Sequence, residues 1–244
     1  MGRLDGKTAL VTGGARGLGS SAARLMAAEG ARVVVTDVLN EEGHRVAADM
    51  GATFLSHDVA SESDWQRVAN DMLDSHGQID ILVNNAGVLH RSSIIEHDIS
   101  DWDRVIAINQ RSVFLGMRQI GKYMVEQKGG SIINVSSVAF NHARPTTAAY
   151  TATKFAIIGM TRVAAKEMGP HGIRVNAILP GMMDTPMIDM IDPDRAARDK
   201  QIPDVPLRRT ASADEVAKTI LFLASDESSF CTGESILVDG GVGC

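Results

Sequence analysis

Tyr150 and Lys154 stand four residues apart, and Ser137 lies thirteen positions before the tyrosine. Four residues make about one helical turn, so a helix beginning near Ala148 stacks the phenol and the ammonium on one face. An ammonium beside a phenol favours the phenolate and draws a pKa of about 10 toward neutrality. Such a tyrosine can give or take the proton of an alcohol/ketone pair while Ser137 holds the oxygen. The sequence has two tyrosines, and Tyr123 has Gln127 where the lysine would stand. A Tyr-x-x-x-Lys alone is most often a solvated helix face, so the chemistry rests on what surrounds it.

The surrounding pattern alternates short apolar runs with longer helical ones. Residues 7–12, 31–37, 52–58, 79–84, 131–136, 173–179 and 234–238 read as buried strands rich in Val and Ile. Residues 17–29, 41–50, 62–76, 100–127, 148–168 and 213–224 carry helical periodicity, with Ser61 and Ser212 as N-cap candidates. Repeated βα alternation implies an α/β fold: one doubly wound Rossmann-type domain spanning 1–244, its seven-stranded, mostly parallel sheet covered by helices on both faces. In such a fold the ligand crevice lies at the carboxyl ends of the strands. Gly13, Asp37, Asp58, Asn85, Ser137 and Pro180 all fall at or just after a predicted strand end. The irregular stretch from Asp184 to Pro206, with four prolines, is expected to form a substrate lid.

The first predicted strand runs into Thr12-Gly13-Gly14-Ala15-Arg16-Gly17-Leu18-Gly19, which opens the first helix. Small residues let the backbone turn tightly and approach a pyrophosphate, which the helix N-terminus attracts. Asp37 follows Gly17 by twenty residues at the end of the second strand, where an acid meets a ribose. A carboxylate there accepts hydrogen bonds from ribose hydroxyls and repels a 2′-phosphate. Arg16 pulls the other way, since a basic residue in the loop can pair with that phosphate. Desolvated like-charge repulsion is costly, so the expectation is NAD over NADP.

The net charge of −6, with no basic block, speaks against a nucleic-acid partner. Cys231 and Cys244 are the only cysteines, so neither a disulfide framework nor a metal site is expected. The apolar residues after Gly6 read as a core strand rather than a signal peptide, and no run is long enough to span a bilayer. A soluble cytoplasmic protein, without a membrane partner, is the expectation.

With these residues in view, the chain resembles the short-chain dehydrogenase/reductase family from about Gly6 to Gly241. The matching pieces are the loop from Thr12 to Gly19, Asn84-Asn85-Ala86-Gly87, Asn109, Ser137, Tyr150 with Lys154, Pro180-Gly181 with Thr185, and Asp239-Gly240-Gly241. Within the family, the stretches TGGARGLG, ARVVVTDV, DWQRV and PGMMDTPM look most like NAD-dependent 3α,20β-hydroxysteroid and cyclic secondary-alcohol dehydrogenases. The resemblance implies a catalytic tetrad of Asn109, Ser137, Tyr150 and Lys154. Tyr150 would be the acid/base, Ser137 would bind the substrate oxygen, Lys154 the nicotinamide ribose, and Asn109 a water that relays protons. It further implies cofactor contacts from Gly13, Arg16, Gly17, Leu18, Gly19, Asp37, Val38, Asp58 and Val59. Asn85, Ala86, Gly87, Pro180, Gly181, Met183 and Thr185 would complete that cofactor site, and homotetramers would form through the two long helices. Asn85 has a structural alternative, bracing strand four, and Asp239-Gly240-Gly241 reads as a supporting turn.

The substrate is less legible. Leu89, His90, Val138, Ala139, His142, Thr147, Met182, Met187 and Met190 are expected around it. Several flexible thioethers suit a bulky apolar ligand, though methionines also simply pack a lid. The leading expectation is an NAD-dependent secondary-alcohol dehydrogenase or ketone reductase acting on a cyclic or steroid-like small molecule. The alternatives are an NADPH-dependent 3-oxoacyl thioester reductase and a non-catalytic nicotinamide-binding regulator.

Overall fold

A computed structural model describes residues 2–140, 143–185, 187–188 and 204–243. Its strands are β1 (Thr8–Thr12), β2 (Arg32–Asp37), β3 (Thr53–Ser56), β4 (Ile81–Asn84), β5 (Gly130–Val135), β6 (Ile173–Pro180) and β7 (Ser235–Val238). They pair in parallel in the order β3-β2-β1-β4-β5-β6-β7. The chain changes direction across the sheet between β1 and β4, so a crevice opens there above the strand ends. β1 and β4 are buried along their whole length. Strands covered on both faces need no polar alternation, which is why they read as continuous apolar runs.

The helices are α1 (Gly17–Ala28), α2 (Asn40–Met50), α3 (Glu62–His76), α4 (Ile99–Ile106), α5 (Ser112–Gln127), α6 (Ala148–Met168) and α7 (Ala213–Ala224). On one face Leu18, Ala22 and Met26 of α1 pack with Val216, Ile220 and Leu221 of α7. On the other, Trp65 and Val68 of α3, Ile120 and Met124 of α5 and Ile157 of α6 form a second core. Ser61 accepts a bond from Asp64 N, and Ser212 forms a reciprocal capping box with Glu215, so both N-caps fall where the sequence puts them.

The expected single helix over 100–127 is interrupted. A π-helical turn, Ala107–Arg111, separates α4 from α5, with Ser112 N reaching back five residues to Ala107 O. One extra residue inside a turn leaves the apolar period almost intact, so periodicity does not reveal it. Of the expected lid, residues 186 and 189–203 lie outside the described residues, as do His142 and Met190. The described flanks are fastened down: Ala211 exchanges bonds with Met182 O and Asp184 N, and Leu207 N donates to Gly240 O.

Candidate active site

Two glycines bring the β1–α1 turn against the loop after β4. Gly13 has φ of 63°, and a Cβ there would lie 2.7 Å from Ala86 Cα. A Cβ on Gly19 would lie 2.3 Å from Gly13 O. Asn85 locks the contact, its Nδ2 donating to Thr12 O at 2.8 Å and to Gly13 O at 3.0 Å. The N–H groups of Asn85 and Ala86 both donate to Thr12 Oγ1, at 3.0 and 3.1 Å. The Asn85 amide therefore braces the glycine loop. Helix α1 begins with no side-chain cap and no acid in its first turn, whereas α3 and α7 are capped by serines. Its leading N–H groups at Gly17, Leu18 and Gly19 form a positively polarised cradle suited to a pyrophosphate.

Asp37 closes β2, its Oδ2 accepting from Ala15 N and its Oδ1 from Leu39 N, each at 3.1 Å. The carboxylate thus spans the glycine loop and the turn after β2. Val38 beside it is 62% exposed, an apolar face that a purine ring could cover. Asp58, two residues past β3, accepts from Ala60 N at 2.9 Å. Val59 is buried, and its carbonyl accepts from Trp65 Nε1 at 2.9 Å. Arg16 is exposed at the mouth of the loop.

The chemistry-bearing residues converge at the ends of β5 and α6. Ser137, two residues after β5, accepts from Ala139 N at 3.1 Å and acts on the Tyr150 phenol, drawing its pKa down. One helical turn on, Lys154 is buried with its Nζ donating to Val135 O at 2.8 Å and standing 5.4 Å from the Tyr150 ring centroid. The sequence reading has the ammonium pulling the phenol toward neutrality; the structure reverses that expectation. Burial raises the Tyr150 phenol above its ordinary value, and the bond from Ser137 brings it partly back. Burial also lowers the Lys154 ammonium to about 8. The reason is that Lys154 is buried and Tyr150 half-buried, while the ammonium lies over the ring and points at a carbonyl.

Asn109, fully buried in the π turn, ties the β4 loop to α6. Its Oδ1 accepts from Val88 N and its Nδ2 donates to Val88 O, both at 2.8 Å, while Nδ2 also reaches Thr153 Oγ1 at 3.4 Å. Thr153 in turn donates to Tyr150 O at 2.6 Å. Both amide hydrogens of Asn109 are spent on protein, so a relay water has only its carbonyl oxygens to use. Val88, Val135 and Thr153 were not expected from the sequence. Main-chain carbonyls carry no residue signature, and Thr153 is hidden in the run between Tyr150 and Lys154.

After β6, Gly181 N donates to Val238 O at 3.0 Å, and a Cβ on Gly181 would lie 2.7 Å from Asp239 Cα. Asp239 accepts from Gly241 N at 2.9 Å and Gly243 N at 2.7 Å, the supporting turn that its sequence suggests. Pro180 ends the strand, Met183 pairs with Ala211, and Thr185 O accepts from Ile188 N. Among the substrate candidates, Leu89 is buried, while Val138, Ala139, Met182 and Met187 are half-buried. Thr147 Oγ1 donates to Arg144 O, and His90 Nε2 stands 3.5 Å from Asp101 with its ring against His97. His90 is thus engaged by α4 and its preceding loop.

The chain is similar over nearly its whole length to known dehydrogenases and reductases. A family model described as enoyl-(acyl carrier protein) reductase matches residues 13–243. The chain is 44% identical to a 3-alpha-(or 20-beta)-hydroxysteroid dehydrogenase of Mycobacterium tuberculosis, over 98% of this chain and 90% of that one. It is 40% identical to a cyclopentanol dehydrogenase of Comamonas testosteroni, covering 99% and 98% of the two chains. The solved structure of levodione reductase superposes with a TM-score of 0.93 at 33% identity, covering 98% of each chain.

Proposed function

Because the chain belongs to the short-chain dehydrogenase/reductase family, we propose that it interconverts a cyclic or steroid-like secondary alcohol and its ketone using NAD(H). The observation that carries the reading is the buried Lys154, its Nζ 5.4 Å from the Tyr150 ring, with Ser137 acting on the same phenol at the carboxyl end of β5. The nicotinamide, when bound, accepts or returns the hydride. Ser137 orients the substrate oxygen. Tyr150 gives its proton to that oxygen during ketone reduction and takes it back during alcohol oxidation. Lys154 has two ammonium hydrogens beyond the bond to Val135, which suit ribose hydroxyls, and its charge favours the tyrosinate formed in reduction.

The Asp37 carboxylate, held by Ala15 and Leu39, leaves lone pairs for a ribose diol and meets a 2′-phosphate with like charge, which supports NAD. The substrate class is supported by the names of the two dehydrogenase relatives and by the half-buried Met182, Met183 and Met187 past β6. No described helix is long and apolar enough to cross a membrane; the reading places the enzyme in the cytoplasm. Phe114 on α5 and Phe155 and Val163 on α6 are exposed apolar residues, which supports a homotetramer built on those helices.

The acyl thioester alternative draws on the family model that matches, which is described by an acyl-carrier-protein reductase. A panel of cyclic, steroidal, sugar and acyl-thioester substrates with both cofactors, followed at the nicotinamide absorbance, separates the two. The proposal expects the highest kcat/KM with NAD and a cyclic or steroidal alcohol; NADPH-dependent reduction of an acetoacetyl thioester as the best activity would overturn it. Asp37→Ala should lower the NAD/NADP ratio of kcat/KM by about tenfold or more, the equivalent of one lost charged contact.

A further inference from the structure

We propose that His57 is a positioning residue for cofactor binding, holding from within the core the two backbone segments that present Asp37 and the Asp58–Val59 turn. The inference rests on the reading above that these residues bind the adenosine half of NAD. His57 comes directly after β3 and is almost wholly buried, so it does not itself meet the cofactor. The β2–β3 ladder ends at the pair Asp37 and Ser56, and His57 N adds one more bond, to Asp37 O at 3.0 Å. The His57 ring reaches the residue before Asp37: Nδ1 pairs with Thr36 Oγ1 at 3.1 Å. Main chain and side chain together clamp the end of β2 where its carboxylate leaves the sheet.

On its other side the ring stands edge-to-face with Trp65, the centroids 4.5 Å apart at 87°. Trp65 Nε1 is the donor to Val59 O. One buried ring is therefore in contact with both walls of the adenosine site, through a hydrogen bond on one side and an aromatic contact on the other. Space filling does not account for a histidine here. Its Nε2 is buried without a hydrogen-bond partner, a cost that an apolar ring would avoid. What the imidazole provides and an apolar ring does not is the bond to Thr36. The carboxylate of Asp37 is aimed by Ala15 and Leu39, and the strand end that bears it is set by His57.

The test measures binding of NAD and of ADP-ribose by titration calorimetry, and kcat and KM for NAD, in wild type, His57→Phe, Thr36→Val, the double variant and His57→Gln. Phenylalanine keeps a ring against Trp65 and removes the bond to Thr36. The expected result is a five- to tenfold weaker Kd for both ligands in each single variant, about the worth of one buried hydrogen bond. Turnover at saturating NAD stays within about twofold, the double variant is no weaker than the singles, and His57→Gln recovers part of the affinity. Unchanged Kd in cooperatively folded His57→Phe and Thr36→Val overturns the inference, as does a loss of turnover with affinity intact. If His57→Phe does not fold, Thr36→Val decides alone. If Asp37→Ala leaves NAD affinity unchanged, the cofactor reading itself fails and takes this inference with it.

Discussion

Replacing Lys154 by methionine should abolish turnover and at the same time stabilise the protein at neutral pH. Lys154 is 4% exposed, and burial lowers its ammonium from 10.5 to about 8. Each pKa unit corresponds to about 1.4 kcal/mol, so holding the cation in this position costs roughly 3 kcal/mol at pH 7. Against this, the variant loses the 2.8 Å bond to Val135 O and leaves that carbonyl unpaired, which costs about 1 kcal/mol. The net expectation is a gain of about 2 kcal/mol, or roughly 4–8 °C in Tm for a chain of this size. The sign of the pH dependence follows from the direction of the shift. The folded state releases its proton near pH 8 and the unfolded state near 10.5, so between those values the unfolded state binds more protons. Wild-type stability then rises with pH, and the advantage of the variant shrinks by about 2 kcal/mol between pH 7 and pH 10. Thermal melts at equal protomer concentration and without cofactor, at both pH values, measure this directly. A variant less stable than wild type at pH 7, or a gain that does not change with pH, would refute the buried-cation account.

Tyr150→Phe should reduce kcat on the best substrate by about 10²–10⁴-fold while NAD affinity stays within about twofold; turnover that survives removes Tyr150 as the proton donor. Gly19→Ala places a Cβ 2.3 Å from the Gly13 carbonyl and 2.5 Å from Asn85 Nδ2, so the loop must shift. The expected cost is about 1–3 kcal/mol in denaturant unfolding, together with weaker NAD binding, and a neutral outcome would mean the cradle is looser than the contacts show. For His57, burial lowers the imidazole from 6.5 to about 4, so its neutral form contributes stability above pH 6.5 that is lost as pH falls toward 4. Wild type should lose about 3 kcal/mol more than His57→Phe between those values, and parallel pH–stability curves would contradict it.

The architecture was legible because it follows from local pattern. Buried Val/Ile runs, helical stripes and the Ser61 and Ser212 caps are properties of neighbouring residues, and they place every strand end within two residues of where the structure has it. The strand-end rule then brings Gly13, Asp37, Ser137 and Pro180 to one crevice with no three-dimensional information. The π turn escaped because it adds one residue without disturbing the apolar face. Asn109 was legible as an unusual helical residue, while its partner Val88 was not, since the bonds run to main-chain atoms.

Residue type and spacing thus determined which groups are available: a phenol, an ammonium, a hydroxyl, a glycine cradle and a carboxylate at a strand end. The tertiary structure decided their electrostatic state. Four residues of separation predict that Lys154 lies near Tyr150, and it does, but separation says nothing of hydration. Packing α6 against the sheet buries Lys154, half-buries Tyr150 and turns the ammonium toward Val135, so the phenol is raised where proximity alone would lower it. Desolvation depends on everything that surrounds a group, and only the folded chain brings those surroundings together.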